Sequence, residues 1–165
     1  MKTIAFIDGA NLSFSMRKLD WALDFSRVRS YLDDRFDLLR ALYYSAEITE
    51  GHDPLHGFTL WLSNNGYQMV QKPAKFQHRN GVETIKGNMD IEIGVDMLEL
   101  APRVDQMLLF SGDGDFKRVL QSVQCLGVHV IVVGTATTTA EELRLQADKF
   151  IEINDMRGVW ERVGA

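Results

Sequence analysis

The sequence predicts a three-layer α/β/α domain on a mainly parallel sheet of five or six strands, and three observations predict it. Strand-like and helix-like segments alternate along most of the chain. The later strand candidates, Gln106-Met107-Leu108-Leu109-Phe110 and Val128-His129-Val130-Ile131-Val132-Val133, are almost unbroken apolar runs, as strands buried on both faces are. The chain has 165 residues, 45% hydrophobic and 25% charged, which suits one folded domain over residues 1–165.

The elements follow in order. Residues 2–8 read as a strand, with Ile4, Phe6 and Ile7 apolar and Asp8-Gly9 stopping it. Residues 26–36 read as a helix capped by Asp24 or Ser26, with Val28, Tyr31, Leu32 and Phe36 at helical spacing. A second strand covers 39–46. A helix over 54–65 has Asp53 as its cap, Pro54 in its first turn and Gly66 just past its end. Strand three, 67–72, stops at Pro73, which has no N–H for a sheet ladder. Residues 74–88 are polar and read as an irregular loop. A helix over 89–100 ends before Pro102. Strand 106–110, a helix over 114–126 closed by Gly127, strand 128–133, a helix over 139–148 and a short strand over 150–153 complete the chain.

Composition narrows the function classes. The net charge of −5 argues against a protein that binds polyanions by bulk charge. It is compatible with a nucleic-acid enzyme whose carboxylates gather around metal ions. The single cysteine, Cys125, makes neither an internal disulfide nor a multi-cysteine zinc site. An acidic residue as early as Asp8 interrupts any signal-peptide core, and no run of about 18 apolar residues spans a membrane. A cytoplasmic protein is expected.

In open parallel sheets, ligands bind beyond the carboxyl ends of the strands. Asp8 ends the first strand, and Asp113 and Asp115 lie just beyond 106–110 in Ser111-Gly112-Asp113-Gly114-Asp115-Phe116. Asp90 opens a helix. If the first strand and 106–110 are neighbours, three carboxylates converge on one edge and Asp90 joins from a helix start. Crowded carboxylates repel unless cations bind or protons stay on. Oxygen-only donors favour hard cations such as Mg²⁺ or Mn²⁺. The plainer alternative for any one aspartate is a turn or a helix cap. Two aspartates in a doubly Gly-spaced turn exceed what a cap needs.

Four segments together resemble a known family. Phe6-Ile7-Asp8-Gly9-Ala10-Asn11, Lys86-Gly87-Asn88-Met89-Asp90-Ile91-Glu92-Ile93-Gly94-Val95-Asp96, Ser111-Gly112-Asp113-Gly114-Asp115-Phe116 and the stretch from Thr139 to Phe150 resemble, in order, the motifs of NYN domains of the LabA-like branch, in the PIN-like nuclease superfamily. The resemblance covers about residues 2–155. It implies a PIN-like fold and a metal-dependent ribonuclease that hydrolyses RNA by a one- or two-metal-ion mechanism. Asp8, Asp90, Asp113 and Asp115 match the family's metal-holding acids, and Asn11 its polar catalytic partner. Asp96 matches a further recurrent acid. Six residues separate it from Asp90, about 120° around a helix at roughly 100° per residue, so a supporting hydrogen bond or helix contact suits it better.

On the substrate side, residues 68–88 carry Lys72, Lys75, Arg79 and Lys86 against one acid, Glu83, with Phe76 and His78 interleaved. A basic, aromatic loop suits a single-stranded or structured RNA, and a solvated surface loop is the alternative. Ser111 is a further candidate for substrate, or it completes the turn. Arg17 and Lys18 are phosphate contacts or plain surface charge. Gly134 to Thr139 offers hydroxyls and N–H groups to a phosphate, with helix capping the favoured reading. His52-Asp53-Pro54-Leu55-His56 does not place its histidines on one helix face, so zinc is rejected. No membrane partner is expected, and a homodimer is left open. The rival function is a non-catalytic regulator that keeps the fold to bind RNA or protein. A phosphatase using Asp-x-Asp after the first strand fails on Asp8-Gly9-Ala10.

Overall fold

All six strands of the main sheet run parallel, in the order β3-β2-β1-β6-β7-β8. The computed structural model describes residues 1–164; the side chains of residues 75–77 and 83–86 lie outside the described set. Strands β1 (Lys2–Asp8), β2 (Asp37–Glu47) and β3 (Gln68–Pro73) form one half. Strands β6 (Gln106–Phe110), β7 (His129–Gly134) and β8 (Lys149–Glu152) form the other. A separate two-stranded antiparallel sheet pairs β4 (Lys75–Arg79) with β5 (Val82–Lys86). The helices are α1 (Gly9–Met16), α2 (Phe25–Arg35), α3 (His56–Asn64), α4 (Asp90–Leu100), α5 (Lys117–Cys125), α6 (Glu141–Gln146) and α7 (Arg157–Trp160). A single 3-10 turn, Gly114–Phe116, precedes α5.

The period of two along each strand sorts the core onto two faces. Ile4, Phe6, Leu42, Tyr44, Met107, Leu109, Val130 and Val132 turn to one face, under Ile93 and Met97 of α4, Leu120 and Val123 of α5 and Leu143 of α6. Ala5, Ile7, Ala41, Tyr43, Leu108, Phe110, Ile131 and Val133 turn to the other, under Leu12 of α1, Val28 and Leu32 of α2, Leu62 of α3 and Trp160 of α7. Both faces are covered, so β6 and β7 cannot alternate apolar with polar residues. Truncating a central side chain such as Phe6 or Phe110 to alanine costs about 3–5 kcal/mol.

The chain winds one way from β1 through β2 to β3, then returns to the far side of β1 and winds the other way through β6, β7 and β8. The winding therefore reverses between β1 and β6, where such sheets open a crevice at their carboxyl ends. Ile7 pairs with Phe110, which sets Asp8 opposite Ser111 one step on.

Two expectations are corrected. Helix α1 begins directly at Gly9, where only a strand stop was read, and Asn11 lies in its first turn. Asp8 is both the last residue of β1 and the N-cap of α1, its carboxylate accepting the Asn11 N–H at 3.2 Å, so no loop separates the two elements. Residues 74–88 are not irregular. Asn80 and Gly81 adopt φ of 52° and 77°, the left-handed pair of a two-residue hairpin turn, and Arg79 pairs with Val82 across it. The scarcity of apolar residues, Phe76 alone in β4 and Val82 and Ile85 in β5, hid the strands, although Asn-Gly is itself a strong hairpin signal. Among smaller differences, α3 starts at His56 after a turn in which Asp53 accepts the Leu55 N–H at 2.9 Å. No helix among the described residues is long and apolar enough to cross a membrane.

Candidate metal centre

The crevice at the β1/β6 switch point is lined with carboxylates because β1 and β6 end there and α1 and α4 start there. Asp8 closes β1 and is 5% exposed. Its Oδ2 accepts the Ser111 hydroxyl at 3.0 Å, and its Oδ1 accepts the Asn11 N–H. Ser111 follows β6, is buried, and its oxygen also accepts the Asp113 N–H at 3.3 Å. The hydroxyl is thus committed beneath the carboxylates. Asp113 caps the turn after β6 by accepting the Asp115 N–H at 2.9 Å. On the far side of β1, Asn11 Oδ1 accepts the Gly112 N–H at 2.8 Å. One side chain thereby straps the start of α1 to the loop after β6.

Gly112 is required by close approach. A Cβ there would sit 2.4 Å from the Thr138 carbonyl and 3.0 Å from Thr139 Cα. Gly9 is similarly confined, since a Cβ there would sit 2.7 Å from both the Tyr43 ring and the Tyr44 carbonyl. These two contacts let α1 and the acidic turn close down on the sheet edge.

Asp90 arrives at the N-terminus of α4. Asn88, two residues earlier, holds it from both ends. Its amide donates to Asp90 Oδ2 at 2.9 Å, and its carbonyl oxygen accepts the Asp90 N–H at 2.7 Å. The sequence reading missed Asn88 as a site residue, although an Asn two positions before a helix-opening Asp is a readable Asx pattern.

Asp90, Asp113 and Asp115 each present a carboxylate oxygen within 4.8 Å of the others. Oxygens bound to one hard cation at about 2.0–2.6 Å are at most about 5 Å apart, so this spacing fits an all-oxygen Mg²⁺, Mn²⁺ or Ca²⁺ site. Asp8 stands beside this trio rather than within that spacing. The electrostatics tie it in all the same. Burial raises the Asp8 carboxyl above its ordinary range; hydrogen bonds from Asn11 and Ser111 pull it back, and the Asp113 charge pushes it up again. Burial also raises Asp90, opposed by Asn88 and reinforced by Asp113 and Asp8. Among the described residues no cation forms an ion pair with these four carboxylates.

The adjoining cleft has a volume of about 730 Å³. Asp8, Asn11, Asp90 and Asp113 line it, together with the largely apolar Tyr43, Ile48, Leu55 and Phe58. Tyr44 also faces it and donates to Asp96 Oδ2 at 2.7 Å. Asp96 therefore holds a cleft tyrosine from α4 and stands apart from the carboxylate trio.

The basic candidates fall differently. Lys72 is committed to Glu92 of α4 at 2.7 Å. Arg79 is exposed on the hairpin, away from the cleft lining. The side chains of Lys75, Phe76 and Lys86 lie outside the described residues. Arg17 lines the cleft. The Thr135 to Thr139 segment favours capping over phosphate binding: Thr135 and Thr138 share a hydrogen bond, Ser15 meets Thr138 at 2.8 Å, and the Ala136 N–H is taken by Glu152. Asp148 accepts the Val130 N–H at 2.7 Å and the Gln124 amide at 3.0 Å, which gives that acid of the fourth motif a structural place. His52 and His56 are both exposed, with no zinc set around them among the described residues.

Comparison with known proteins gives a consistent result. The NYN domain family matches residues 2–154. The chain is 35% identical over 162 residues to the Low amplitude and bright protein LabA of Synechococcus elongatus, covering 95% of this chain and 86% of that one. Its fold is similar to the crystal structure of a protein of unknown function from Vibrio parahaemolyticus, with a TM-score of 0.78, 28% identity and 93% of each chain covered.

Proposed function

The chain belongs to the NYN domain family, on its LabA-like side, and from that membership we propose that it is a metal-dependent endoribonuclease. The observation that carries the reading is the convergence of Asp90, Asp113 and Asp115 within 4.8 Å, with buried Asp8 beside them, at the switch point of a parallel sheet. Asp90, Asp113 and Asp115 would hold Mg²⁺ or Mn²⁺, and Asp8 would complete the set. The cation supplies a Lewis acid that stabilises charge on phosphate oxygens and lowers the pKa of water. The protein's own part is positioning. Ser111 and the Asn11 N–H fix the Asp8 carboxylate, Asn88 fixes Asp90, and the Asn11 side chain fixes the loop that carries Asp113. The cleft beside them places a phosphodiester for in-line attack by water. Water as the nucleophile leaves a 5′-phosphate and a 3′-hydroxyl. Lys75, Arg79 and Lys86 are proposed to contact RNA from the hairpin, and the protein is proposed to work in the cytoplasm.

The test is cleavage of single-stranded RNA with Mn²⁺, with and without chelator, by wild type and by Asp113→Asn. Chelator-sensitive cleavage with 5′-phosphate ends that Asp113→Asn lacks is the expected result. Equal residual cleavage by both proteins would refute the nuclease and leave the non-catalytic RNA- or protein-binding regulator.

A further inference from the structure

We propose that the α1–α3 side of the cleft is a nucleotide subsite in which Arg17 holds a phosphate and the Ile48, Leu55 and Phe58 wall receives an unpaired RNA base. This rests on the nuclease reading for its substrate, but on different residues. The same cleft that is lined by Asp8, Asp90 and Asp113 is lined also by Arg17, Asp53 and this apolar wall. Among the described residues no hydrogen bond or ion pair engages the Arg17 guanidinium, its backbone N–H alone being taken by the Ser13 carbonyl, whereas the neighbouring Lys18 Nζ already sits 4.6 Å over the Phe14 ring. The Arg17 guanidinium is thus a cation without a partner among the described residues, in a carboxylate-lined cleft. A phosphate complements it, since its fork of N–H donors matches phosphate oxygens.

The wall has the character of a base platform. Leu55 is 52% exposed although apolar. Phe58 packs edge-on against Phe25 and Tyr43, with ring centroids 5.2 and 6.0 Å away, so it is rigid before anything binds. A flat heterocycle covers such a surface at little entropic cost. Asp53 adds a requirement. Its Oδ1 accepts the Leu55 N–H, and its second oxygen has no partner among the described residues. An acceptor-only carboxylate oxygen lining the cleft is placed to take an N–H from a base edge. Every base has one on its Watson–Crick edge, and in a duplex that donor is already used. Size agrees: a cleft of about 730 Å³ lies in the range of small-ligand pockets, enough for a nucleotide or two and not for a helix.

The experiment measures binding of a short fluorescein-labelled single-stranded RNA, of the same strand annealed to its complement, and of the matching single-stranded DNA. Calcium replaces magnesium so that the oxygen ligands are neutralised with little turnover. Arg17→Ala, Arg17→Lys and Leu55→Ser are compared with wild type, and unchanged melting confirms their folding. Arg17→Ala should weaken single-stranded RNA binding roughly tenfold and lower the salt slope by about 0.7, with part of the loss restored in Arg17→Lys. Leu55→Ser should weaken it about threefold with the slope unchanged. In Mn²⁺ both should raise KM more than they lower kcat. Duplex RNA should bind more weakly and respond to neither change. Variants that bind and cleave like wild type overturn the subsite and leave the nuclease reading intact. Loss of binding in the variants of a protein that never cleaves does the reverse. No single-stranded RNA binding by wild type overturns both, and equal affinity for the DNA overturns RNA as the occupant.

Discussion

Asp113 is the residue through which the site's charge is most directly read. Burial is the main cause that raises the proton affinity of Asp8 and Asp90, the Asp113 charge adds to it in both, and Asp113 also caps the turn to Asp115. Asp113→Asn keeps the cap, because an amide oxygen accepts the same N–H, and removes the charge. The metal-free variant should therefore melt higher than wild type, by about 2–4 °C if roughly 1 kcal/mol of repulsion is relieved. Its stabilisation by Mn²⁺ should fall, and its cleavage should vanish. Differential scanning fluorimetry with and without metal reads the first two, and a drop in metal-free melting would refute the repulsion. Asn11 offers a complementary test. Asn11→Ala strands the buried end of the Gly112 N–H, a loss of about 1–3 kcal/mol, measurable as a lower urea midpoint at unchanged slope. Asn11→Asp keeps an acceptor there and should recover most of that stability while adding a negative charge to the cleft.

At the scale of elements, the site depends on how closely the turn after β6 lies on the loop before α6. Gly112→Ala sets a methyl against the Thr138 carbonyl, backbone that cannot rotate away. It should cost about 1–3 kcal/mol and move Asp113, so that metal affinity falls more than folding does. Calorimetric Mn²⁺ titration at a temperature where the variant is folded separates the two. The same scale shows what was legible in the sequence. Strand β6 was read with its exact bounds because QMLLF has one face pattern available, burial on both sides. The acidic positions were readable because each sits at an element boundary, where a turn or cap residue interrupts an apolar run. Helix α1 was not readable, since Asp8 serves two elements and leaves no punctuation between them. The hairpin was not readable from periodicity, since neither of its strands belongs to the main sheet or carries its apolar pattern. The pairing of Lys72 with Glu92 joins β3 to α4 across the fold, and no local signal announces it.

For the whole molecule, the proton and the metal compete for the same carboxylates, and this gives stability a distinctive pH dependence. Asp8 and Asp90 hold protons more tightly in the fold than in the unfolded chain. The folded state then binds more protons, so metal-free stability falls as pH rises through their raised range and is regained on mild acidification. Glu92 and Asp148 have the opposite sign. The Lys72 hydrogen bond holds Glu92 below its ordinary range; for Asp148, burial pulls upward and is outweighed by the Val130 N–H, Gln124 and the nearby His129. Their contribution is present above the ordinary carboxylate range and is lost only at lower pH. The metal-free melting temperature should therefore rise from neutral pH to a maximum on the acid side and then fall. Mn²⁺ at about a hundred times its dissociation constant adds about 2.7 kcal/mol at neutral pH, a shift of roughly 5–10 °C. That gain needs deprotonated ligands, so it shrinks as Asp8 and Asp90 take up protons. The two melting curves, with metal and with chelator, should lie furthest apart at neutral pH and converge on acidification. In Asp113→Asn the curves should lie close together throughout, since the cluster that couples metal to protons has lost its shared charge. Curves that stay parallel across this range in wild type would mean that the metal binds elsewhere.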